Sequence, residues 1–427
     1  MALVDTTFYC NSVAYTAVTQ FAISTAYTAG QIRRQLATPA VGSERCFICI
    51  VAGTSAGSEP SWTLTRGAKT TTGTATFQEC TGQAALNGDL TNTQTWAAVK
   101  AATPAVLGQI IKRSSGASYQ ICTTAGAMSA SEPAFSDTVG VTTTDTTCVW
   151  TSLGPVGSYT GGMAPFARLA AAFGTSWYAA GNTVFVSSNH AESQAAAISI
   201  ANAGVGSHAG PAKILCHNSA GSYPPTSSDL TTGATISTTT AGNLTITLTG
   251  TSYFYGLTFR TGVGSASSQF LFITPPLGAH MTFDNCSFQI ATTSGSNYLQ
   301  VGDVVANKST IIWNNCTVKF AAVGQKVTPG DGNFIWQNTG QILASGSSVP
   351  TVLFMHGHAS TATYSNTVFE ALDLSQIVGS LFNTNTNNSQ GSVIVRDCKL
   401  HASATVIASA GQPPGPDLFW QLVRTSA

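Results

Sequence analysis

Apolar and polar residues alternate with a period of two in several short stretches of this chain. The clearest stretch is 243–248, where Leu244, Ile246 and Leu248 are separated by threonines. This alternation puts successive side chains on opposite faces of an extended backbone, so it predicts strands with one buried side. The pattern therefore predicts an all-β protein.

One short phrase, a turn residue followed by alternating strand residues, recurs five times between positions 253 and 400. Its central residues are 29, 30, 51 and 31 positions apart: Leu257, Cys286, Cys316, Thr367 and Cys398. A repeat of about 20–50 residues indicates stacked units, because no single unit can bury its own apolar face. We interpret each copy as one coil of a parallel β-helix and expect the five residues to form one inward column. The step of 51 indicates either a coil with a long loop or a short coil whose phrase has diverged.

A second duplication lies in residues 31–154. A phrase of Ser, Glu, Pro, any residue and an aromatic residue occurs twice, 73 positions apart: Glu59, Pro60 and Trp62, then Glu132, Pro133 and Phe135. It predicts two small β-modules, 31–85 and 86–154. The residue before a proline favours extended or turn backbone, so we interpret the two glutamates as turn-bonding residues rather than ligand-binding ones. A short helix is expected around Trp96.

Glycine, alanine and proline then mark a boundary. We predict a linker and cap over 155–180, with two helical turns at 166–173, and a β-helix over 181–410. Residues 1–30 form an N-terminal arm or a first strand pair, and 411–427 form a C-terminal cap. Near the start of the β-helix, Asn189 and Glu192 outline a capping box before a helix-prone run at 193–201. The alternative for this site is an acid–base pair of His190 with Glu192.

Composition narrows the choice of function. Charged residues make up only 8% and the formal net charge is zero, against about 25% charged in typical domains. The absence of a positive net charge argues against nucleic-acid binding. The low charge also favours a protein that is part of a larger assembly, because such a neutral chain would be poorly soluble as a free monomer. No run reaches the roughly 18 apolar residues of a membrane span. The first residues do not resemble a signal peptide, so we expect the ten cysteines to be reduced and buried.

Candidate chemistry is sparse. Glycan hydrolysis needs two carboxylates at a defined separation. The acidic residues of the repeat region are Asp284, Asp303, Asp331, Glu370, Asp373 and Asp397. They form no convincing pair at equivalent coil positions, so we predict no catalytic residue, cofactor or bound metal. The remaining ligand candidates are His356 and His358, which share one side of a strand but lack the further ligands that a metal site needs.

The chain resembles tailed-phage virion structural proteins with a pectate-lyase-like β-helix. The resemblance covers 181–260, through Asn-Thr-Val-Phe-Val, His-Ala-Glu, Leu-Cys-His-Asn and Tyr-Phe-Tyr-Gly-Leu-Thr-Phe, and continues loosely to position 400. The duplicated Ser-Glu-Pro phrase is similar to small modules of such virion proteins. The resemblance implies an all-β protein with two small N-terminal β-modules and a right-handed single-stranded parallel β-helix, forming a homotrimer.

The function that this resemblance implies is a capsid decoration, cement or head spike protein, located in the virion and acting by assembly and surface adhesion. Its partners would be two further copies of the chain, the major capsid or other virion proteins, and a host-surface glycan. The alternative is a tailspike or tail fibre receptor-binding protein, with or without polysaccharide depolymerase activity. A glycan-binding adhesin without turnover is a third hypothesis.

Overall fold

The computed structural model describes most of the chain. The described residues are 7–28, 30–65, 68–82, 95–100, 104–105, 109–115, 118–138, 140–155, 164–173, 181–202, 207, 210–221, 225–239, 242–264, 270–302, 308–344, 352–356, 363–384, 389–409 and 418–423. Strands account for 49% and helices for 6%, so the expectation of an all-β protein is confirmed. The chain divides into two compact units. Unit 1 is Met1–Trp177 with Ala220–Asp229, and unit 2 is Tyr178–Ser219 with Leu230–Ala427.

In its described residues, unit 1 has short strands and four short helical segments. Its elements are β1 Thr7–Cys10, α1 Ser12–Ala17, β2 Ala26–Tyr27, β3 Ile32–Arg34, β4 Cys46–Val51, β5 Gly53–Thr54, β6 Lys69–Thr72, β7 Ala75–Glu79, α2 Trp96–Lys100, β8 Ile110–Lys112, β9 Ser118–Thr124, β10 Thr142–Asp145, β11 Cys148–Pro155, α3 Leu169–Phe173 and a 3₁₀ turn at Ser227–Asp229. The helix expected around Trp96 is present as α2. The helix expected over 166–173 is shorter, because it begins only at Leu169.

The sequence duplication corresponds to two antiparallel sheets with the same strand order. The first is β3-β4-β7-β6 and the second is β8-β9-β11-β10. Equivalent residues face each other in both, because Cys49 pairs with Phe77 and Cys122 pairs with Trp150. In each sheet the thiol donates a 3.2 Å hydrogen bond to the carbonyl two residues later. The two modules therefore repeat their backbone connections as well as their sequence.

Phe21 and Tyr27, from the segment predicted as an N-terminal arm or first strand pair, contribute to the core of the first module. The rings of Phe21 and Tyr27 stack at 5.6 Å, and both make edge contacts with Phe77. Trp62 stacks on Phe47 with centroids 4.0 Å apart. These aromatic side chains fill the space that the small four-stranded sheet cannot close by itself.

Unit 2 consists of short strands. They are β12 Thr183–Ser187, β13 Ala191–Gln194, β14 Ile198–Asn202, β15 Ala212–His217, β16 Thr235–Thr238, β17 Leu244–Leu248, β18 Thr251–Tyr255, β19 Thr258–Thr261, β20 Leu271–Ile273, β21 His280–Asp284, β22 Ser287–Ile290, β23 Tyr298–Val301, β24 Ser309–Asn314, β25 Thr317–Phe320, β26 Lys326–Pro329, β27 Gly332–Gln337, β28 Gln341–Ala344, β29 Val352–His356, β30 Thr363–Glu370, β31 Asp373–Leu374, β32 Ser380–Thr384, β33 Ser389–Arg396, β34 Lys399–Leu400, β35 Thr405–Ser409 and β36 Leu418–Val423.

Each strand from β12 to β33 pairs in parallel with the strand three places further along the chain. The result is three sheets: sheet A runs β12-β15-β18-β21-β24-β27-β30-β33-β36, sheet B runs β13-β16-β19-β22-β25-β28-β31-β34, and sheet C runs β14-β17-β20-β23-β26-β29-β32-β35. Three successive strands make one circuit, which we call a coil and number from 1 (β12–β14) to 8 (β33–β35). This arrangement is consistent with a β-helix-like fold. The last strand, β36, adds to sheet A beside β33.

The interior between the sheets is filled by rings that stack from one coil to the next. Phe254 and Phe283 occupy paired positions in sheet A and lie 4.5 Å apart, nearly parallel. Trp313 follows in the next coil and stacks on Phe288 of sheet B at 4.4 Å. Because equivalent positions are one strand spacing apart, about 4.8 Å, aromatic side chains at the same register contact each other, either stacked or edge to face, as Trp313 and Trp336 do.

The helix expected over 193–201 is wrong. That stretch forms β13 and β14, which pair with β16 and β17. Asn189 therefore caps no helix, and Glu192 points inward from a strand. The helix propensity of residues 193–201 is a weak effect compared with the main-chain hydrogen bonds and the side-chain burial that pairing with the next coil supplies.

We expect Phe283→Ala to lower the free energy of unfolding by about 3–5 kcal/mol, because it removes a fully buried ring from the stack. Thr282→Ala is the matched control, since this neighbouring side chain faces outward and is only half buried. Its effect should stay within about 0.5 kcal/mol. Urea denaturation followed by tryptophan fluorescence measures both, and equal losses would contradict the inward stack.

Candidate functional site

The turn between sheets A and B contains a left-handed residue in six successive coils. The residue two positions before the sheet B strand has a positive φ of 46–73° in coils 3 to 8: Gly256, Asn285, Asn315, Thr339, Ala371 and Asp397. Coil 6 has a second left-handed residue, Asn338, so its turn is one residue longer. Glycine, asparagine and aspartate tolerate this left-handed conformation best, which explains the turn residue of the repeated phrase. In all six coils the next residue faces the interior.

That next residue belongs to a continuous inward column. Coil by coil, its members are His190, Ala234, Leu257, Cys286, Cys316, Gly340, Leu372 and Cys398. The carbonyl of each member from His190 to Leu372 accepts the main-chain N–H that follows the equivalent residue of the next coil, for example Thr317 N–H to Cys286 at 2.9 Å. In the three cysteine coils, the thiol also donates to the carbonyl two residues earlier at 3.4 Å. Each of these carbonyls also accepts a main-chain N–H from the preceding coil, so the thiol adds a second hydrogen bond at the tight turn.

The assignment of Thr367 to this column is wrong. Thr367 lies in β30 of sheet A, between Phe334 and Val393 of the neighbouring coils. The column residue of coil 7 is Leu372, five positions later. The step of 51 thus contains an additional short coil, 24 residues after Cys316, whose column residue is Gly340.

Packing explains why coil 6 has a glycine at this position. The indole N–H of Trp336 donates to the carbonyl of Cys316 at 3.2 Å and occupies the space of the missing side chain. A Cβ on Gly340 would lie 2.2 Å from that indole nitrogen. The phrase is unrecognisable in this coil because a large side chain from sheet A has replaced the small one.

Outside the column, the turns carry a ladder of polar side chains. The amide of Asn315 donates to Asn285, and the hydroxyl of Thr339 donates to Asn315. Asp284 lies one residue before Asn285 in the same coil. Its carboxylate accepts a hydrogen bond from the Tyr253 hydroxyl at 2.9 Å and one from the Asn314 amide at 3.1 Å. Burial, followed by this hydrogen bond to the carboxylate, raises the pKa of Tyr253. Each side chain orients the next, so the ladder presents a regular polar surface.

A groove of about 590 Å³ runs along this ladder and the first outward positions of sheet B. Its lining consists mainly of main-chain turns, amides and hydroxyls, including the row Thr258, Ser287 and Thr317 on consecutive coils. The hydroxyls of such a row repeat at about 4.8 Å, the strand spacing. Regularly spaced donors and acceptors suit an extended ligand that carries many hydroxyl groups, and we take this groove as the candidate functional site.

The carboxylates near the groove are engaged with other side chains. Asp284 accepts the three hydrogen bonds of Tyr253, Asn285 and Asn314. Glu370 lies 2.5 Å from Arg396.

Further along the repeat, Asp373 contacts Lys399 at 3.7 Å. Hydrogen bonds from Ser375 hold the pKa of Asp373 below its usual value, and Lys399 adds to the effect. Asp331 is buried in the turn before β27, and Asp397 holds a left-handed turn position. Asp303 lies outside the described residues.

The histidines fall in separate places. His190 and Glu192 are both fully buried, with Nε2 and Oε2 3.5 Å apart, so the structure brings this sequence pair together in coil 1. His356 lies at the end of β29, whereas its side chain and the whole of His358 lie outside the described residues. Within the described part of the chain, no three His, Cys, Asp or Glu side chains are grouped as metal ligands would be.

The module glutamates hold the backbone of neighbouring loops. Glu59 accepts the N–H groups of Leu36 and Ala37 at 2.7 and 2.9 Å, as well as the indole N–H of Trp62. Glu132 accepts the N–H of Ser114, at the equivalent place after β8. Pro60 and Pro133 follow these anchors, and Phe135 packs against Trp150 with centroids 6.2 Å apart. The second glutamate thus repeats the structural role of the first.

Sequence reasoning missed one row beside the groove. Arg260, Gln289 and Lys319 are paired on consecutive strands of sheet B, two residues beyond the hydroxyl row. Each lies three positions after a recognised column residue, so they could have been found by extending the phrase by three residues.

None of the helices in the described part of the chain has the length and apolar character needed to cross a membrane.

Gly340→Cys would place in coil 6 the cysteine that coils 4, 5 and 8 have at the same column position. Because the Trp336 indole fills that space, we expect the variant to lose about 1–3 kcal/mol of unfolding free energy through overpacking. Trp336→Leu alone should also destabilise, because it leaves a cavity. The double variant should lose less than the sum of the two single losses when all are measured by urea denaturation. Additive losses would show that the indole does not occupy the cysteine position.

All ten cysteines are buried as free thiols, so we expect a thiol reagent at pH 8 to label the folded protein far more slowly than the urea-unfolded protein. Burial raises the pKa of Cys216 to about 11. A group with a raised folded-state pKa contributes stability that is complete below its unfolded pKa, about 9, and is lost as the pH rises through about 11.

The unfolding free energy should therefore fall between pH 8 and pH 10, and Cys216→Ala should reduce that fall by about 1 kcal/mol. Comparing the pH dependence of the variant with that of the parent protein removes the constant cost of the substitution itself. An equal fall in both proteins would contradict a thiol that is kept protonated by burial.

Comparison with known proteins adds no identification. No protein-family model, no curated protein and no solved structure matches this chain. The function is therefore argued from the coils, the groove and the surfaces described above.

Proposed function

We propose that this chain is a virion structural protein of a tailed phage, most simply a capsid decoration, cement or head spike protein. The observation that carries the proposal is the stack of eight coils, in which the turn from sheet A to sheet B bonds its equivalent in the next coil. Such a stack resists bending because neighbouring coils are joined along all three sheets. Its work would be to bind the capsid or another virion protein and to project a stiff surface.

We further propose that unit 2 is a right-handed β-helix. Parallel strands joined by a crossover connection are right-handed in about 98% of cases, and every pairing in its three sheets is of this parallel type. The left-handed residues at the sheet A to sheet B turns do not affect this argument, since they reverse the backbone only locally.

A homotrimer is the assembly that we propose. The outer face of sheet A carries one column of half-buried β-branched residues over four coils: Ile312, Ile335, Val368 and Ile394. Further copies of the chain could bury this stripe by a cyclic arrangement. The neutral overall charge supports close packing of identical chains, because no strong repulsion opposes it.

The second candidate is a tailspike or tail fibre protein that binds a host-surface glycan. The polar groove of about 590 Å³ favours it. Binding without cleavage is the form that we prefer, because Asp284 and Glu370 are already held by neighbouring side chains. A depolymerase would need two carboxylates aimed at the same glycosidic bond.

The test is to locate the protein on intact particles and to measure its mass. We expect sedimentation equilibrium to give three times the chain mass of 43.9 kDa, and Ile335→Glu to shift the protein toward monomer.

Labelled antibody should mark capsomer junctions or head spikes on purified particles. Absence of label from the particles would overturn the virion role, and label on tail fibres would favour the second candidate. Release of reducing sugar from host cells by the purified protein would establish a depolymerase.

A further inference from the structure

A small pocket lies beside the groove on the outer face of sheet B. It encloses about 270 Å³ and is lined by Arg260, Gln289 and Lys319 together with Ile290, Ala291 and Ala321. Strand register fixes this set, because Arg260 pairs with Gln289 and Gln289 with Lys319 on coils 3, 4 and 5. The two cations are two strand spacings apart, about 10 Å at the backbone, and their long side chains border the same pocket.

These cations differ from four other basic residues of the chain. Arg113, Arg168, Arg396 and Lys399 each lie within 4.0 Å of a carboxylate. The side chains of Arg260 and Lys319 are exposed and form no hydrogen bond or ion pair with any described residue. No carboxylate lines the pocket. In a chain with only 17 basic residues, two uncompensated charges at one pocket create a local positive potential.

The cation row is continuous with the hydroxyl row of the groove. Thr258, Ser287 and Thr317 precede Arg260, Gln289 and Lys319 by two residues, so both rows face outward on the same strands. The amide of Gln289 donates to the hydroxyl of Ser287 at 3.2 Å and joins the two rows. One surface thus offers positive charge on one side and neutral hydrogen-bonding groups on the other.

We propose that this face binds an acidic, hydroxyl-rich oligomer, with an oxyanion held between Arg260 and Lys319 and the neighbouring hydroxyls of the ligand on the Thr258–Ser287–Thr317 row. Charge-assisted hydrogen bonds to an oxyanion are stronger than neutral ones, so the cations supply most of the discrimination against a neutral ligand. The oxyanion is a carboxylate, as in a hexuronate, or a phosphate, as in a glycerol phosphate polymer. The inference does not rest on the virion role, because it concerns the isolated chain.

The experiment is isothermal titration calorimetry of the purified full chain with four probes at low salt. They are a hexuronate tetramer, a glycerol phosphate tetramer, a neutral glucose tetramer and inorganic phosphate. We expect one of the acidic tetramers to bind at least about ten times more tightly than the neutral tetramer, with affinity that falls as sodium chloride is added. The better acidic tetramer identifies the source of the oxyanion.

Three outcomes would overturn the proposal. The first is no binding of either acidic tetramer at millimolar concentration. The second is equal binding of the glucose tetramer, which would remove the role of the cations. The third is inorganic phosphate binding as tightly as the tetramers, which would remove the role of the hydroxyl row.

Variants separate the site from general charge effects. Arg260→Gln and Lys319→Gln should each weaken binding of the acidic tetramer about three- to fivefold, and together about tenfold or more. Lys213→Gln is the matched control, because it removes one exposed positive charge from sheet A of the same unit. The Lys213→Gln protein should bind the acidic tetramer as tightly as the parent protein does. A loss of affinity as large as that of Arg260→Gln or Lys319→Gln would contradict a local site.

Gln289→Glu provides a test that loss of folding cannot imitate. The new carboxylate would lie between the two cations and pair with them, so it should reduce binding by at least about tenfold while leaving the melting temperature unchanged or higher. Retained binding in a stably folded Gln289→Glu protein would show that the oxyanion does not lie between Arg260 and Lys319.

Discussion

The structure of unit 2 depends on parallel main-chain hydrogen bonding between equivalent residues of successive coils. Every strand from β12 to β33 has a partner three strands later, and the bonding continues through the turn, as in Asn285 N–H to the carbonyl of Asn314 at 3.0 Å. Buried backbone groups must be paired, so a coil that shifted by one residue would lose these bonds and turn its apolar side chains outward. This constraint fixes which residues meet across coils.

The constraint also explains the composition of the repeat. The turn position needs a left-handed backbone, which restricts it mainly to Gly, Asn and Asp, and the next position needs an inward side chain that fits the volume its neighbours leave. Cysteine meets the second need in coils 4, 5 and 8 because its thiol also bonds the carbonyl two residues earlier. Where Trp336 takes the space, the same position becomes glycine. Inward positions are thus chosen by volume and turn positions by conformation.

Outward positions are free of both demands, and the surface chemistry is located there. The same register that stacks Phe254 on Phe283 inside also aligns Thr258, Ser287 and Thr317 outside. Side chains that are about 29 residues apart in sequence thereby become neighbours at the strand spacing. An extended ligand could contact several coils at once, and a substitution on one coil would change only one contact.

The sequence by itself determined the all-β class, the duplicated modules and the presence of stacked coils, since alternation, left-handed turn residues and regular spacing are local features. It could not determine the members of the column, because Thr367 matches the phrase in type while Leu372 and Gly340 occupy the positions. It also misled at 193–201, where pairing with β16 and β17 overrides helix propensity. Only the tertiary structure decided these points, because inter-coil register is set by hydrogen bonds between distant segments and by the volume that neighbouring coils leave free.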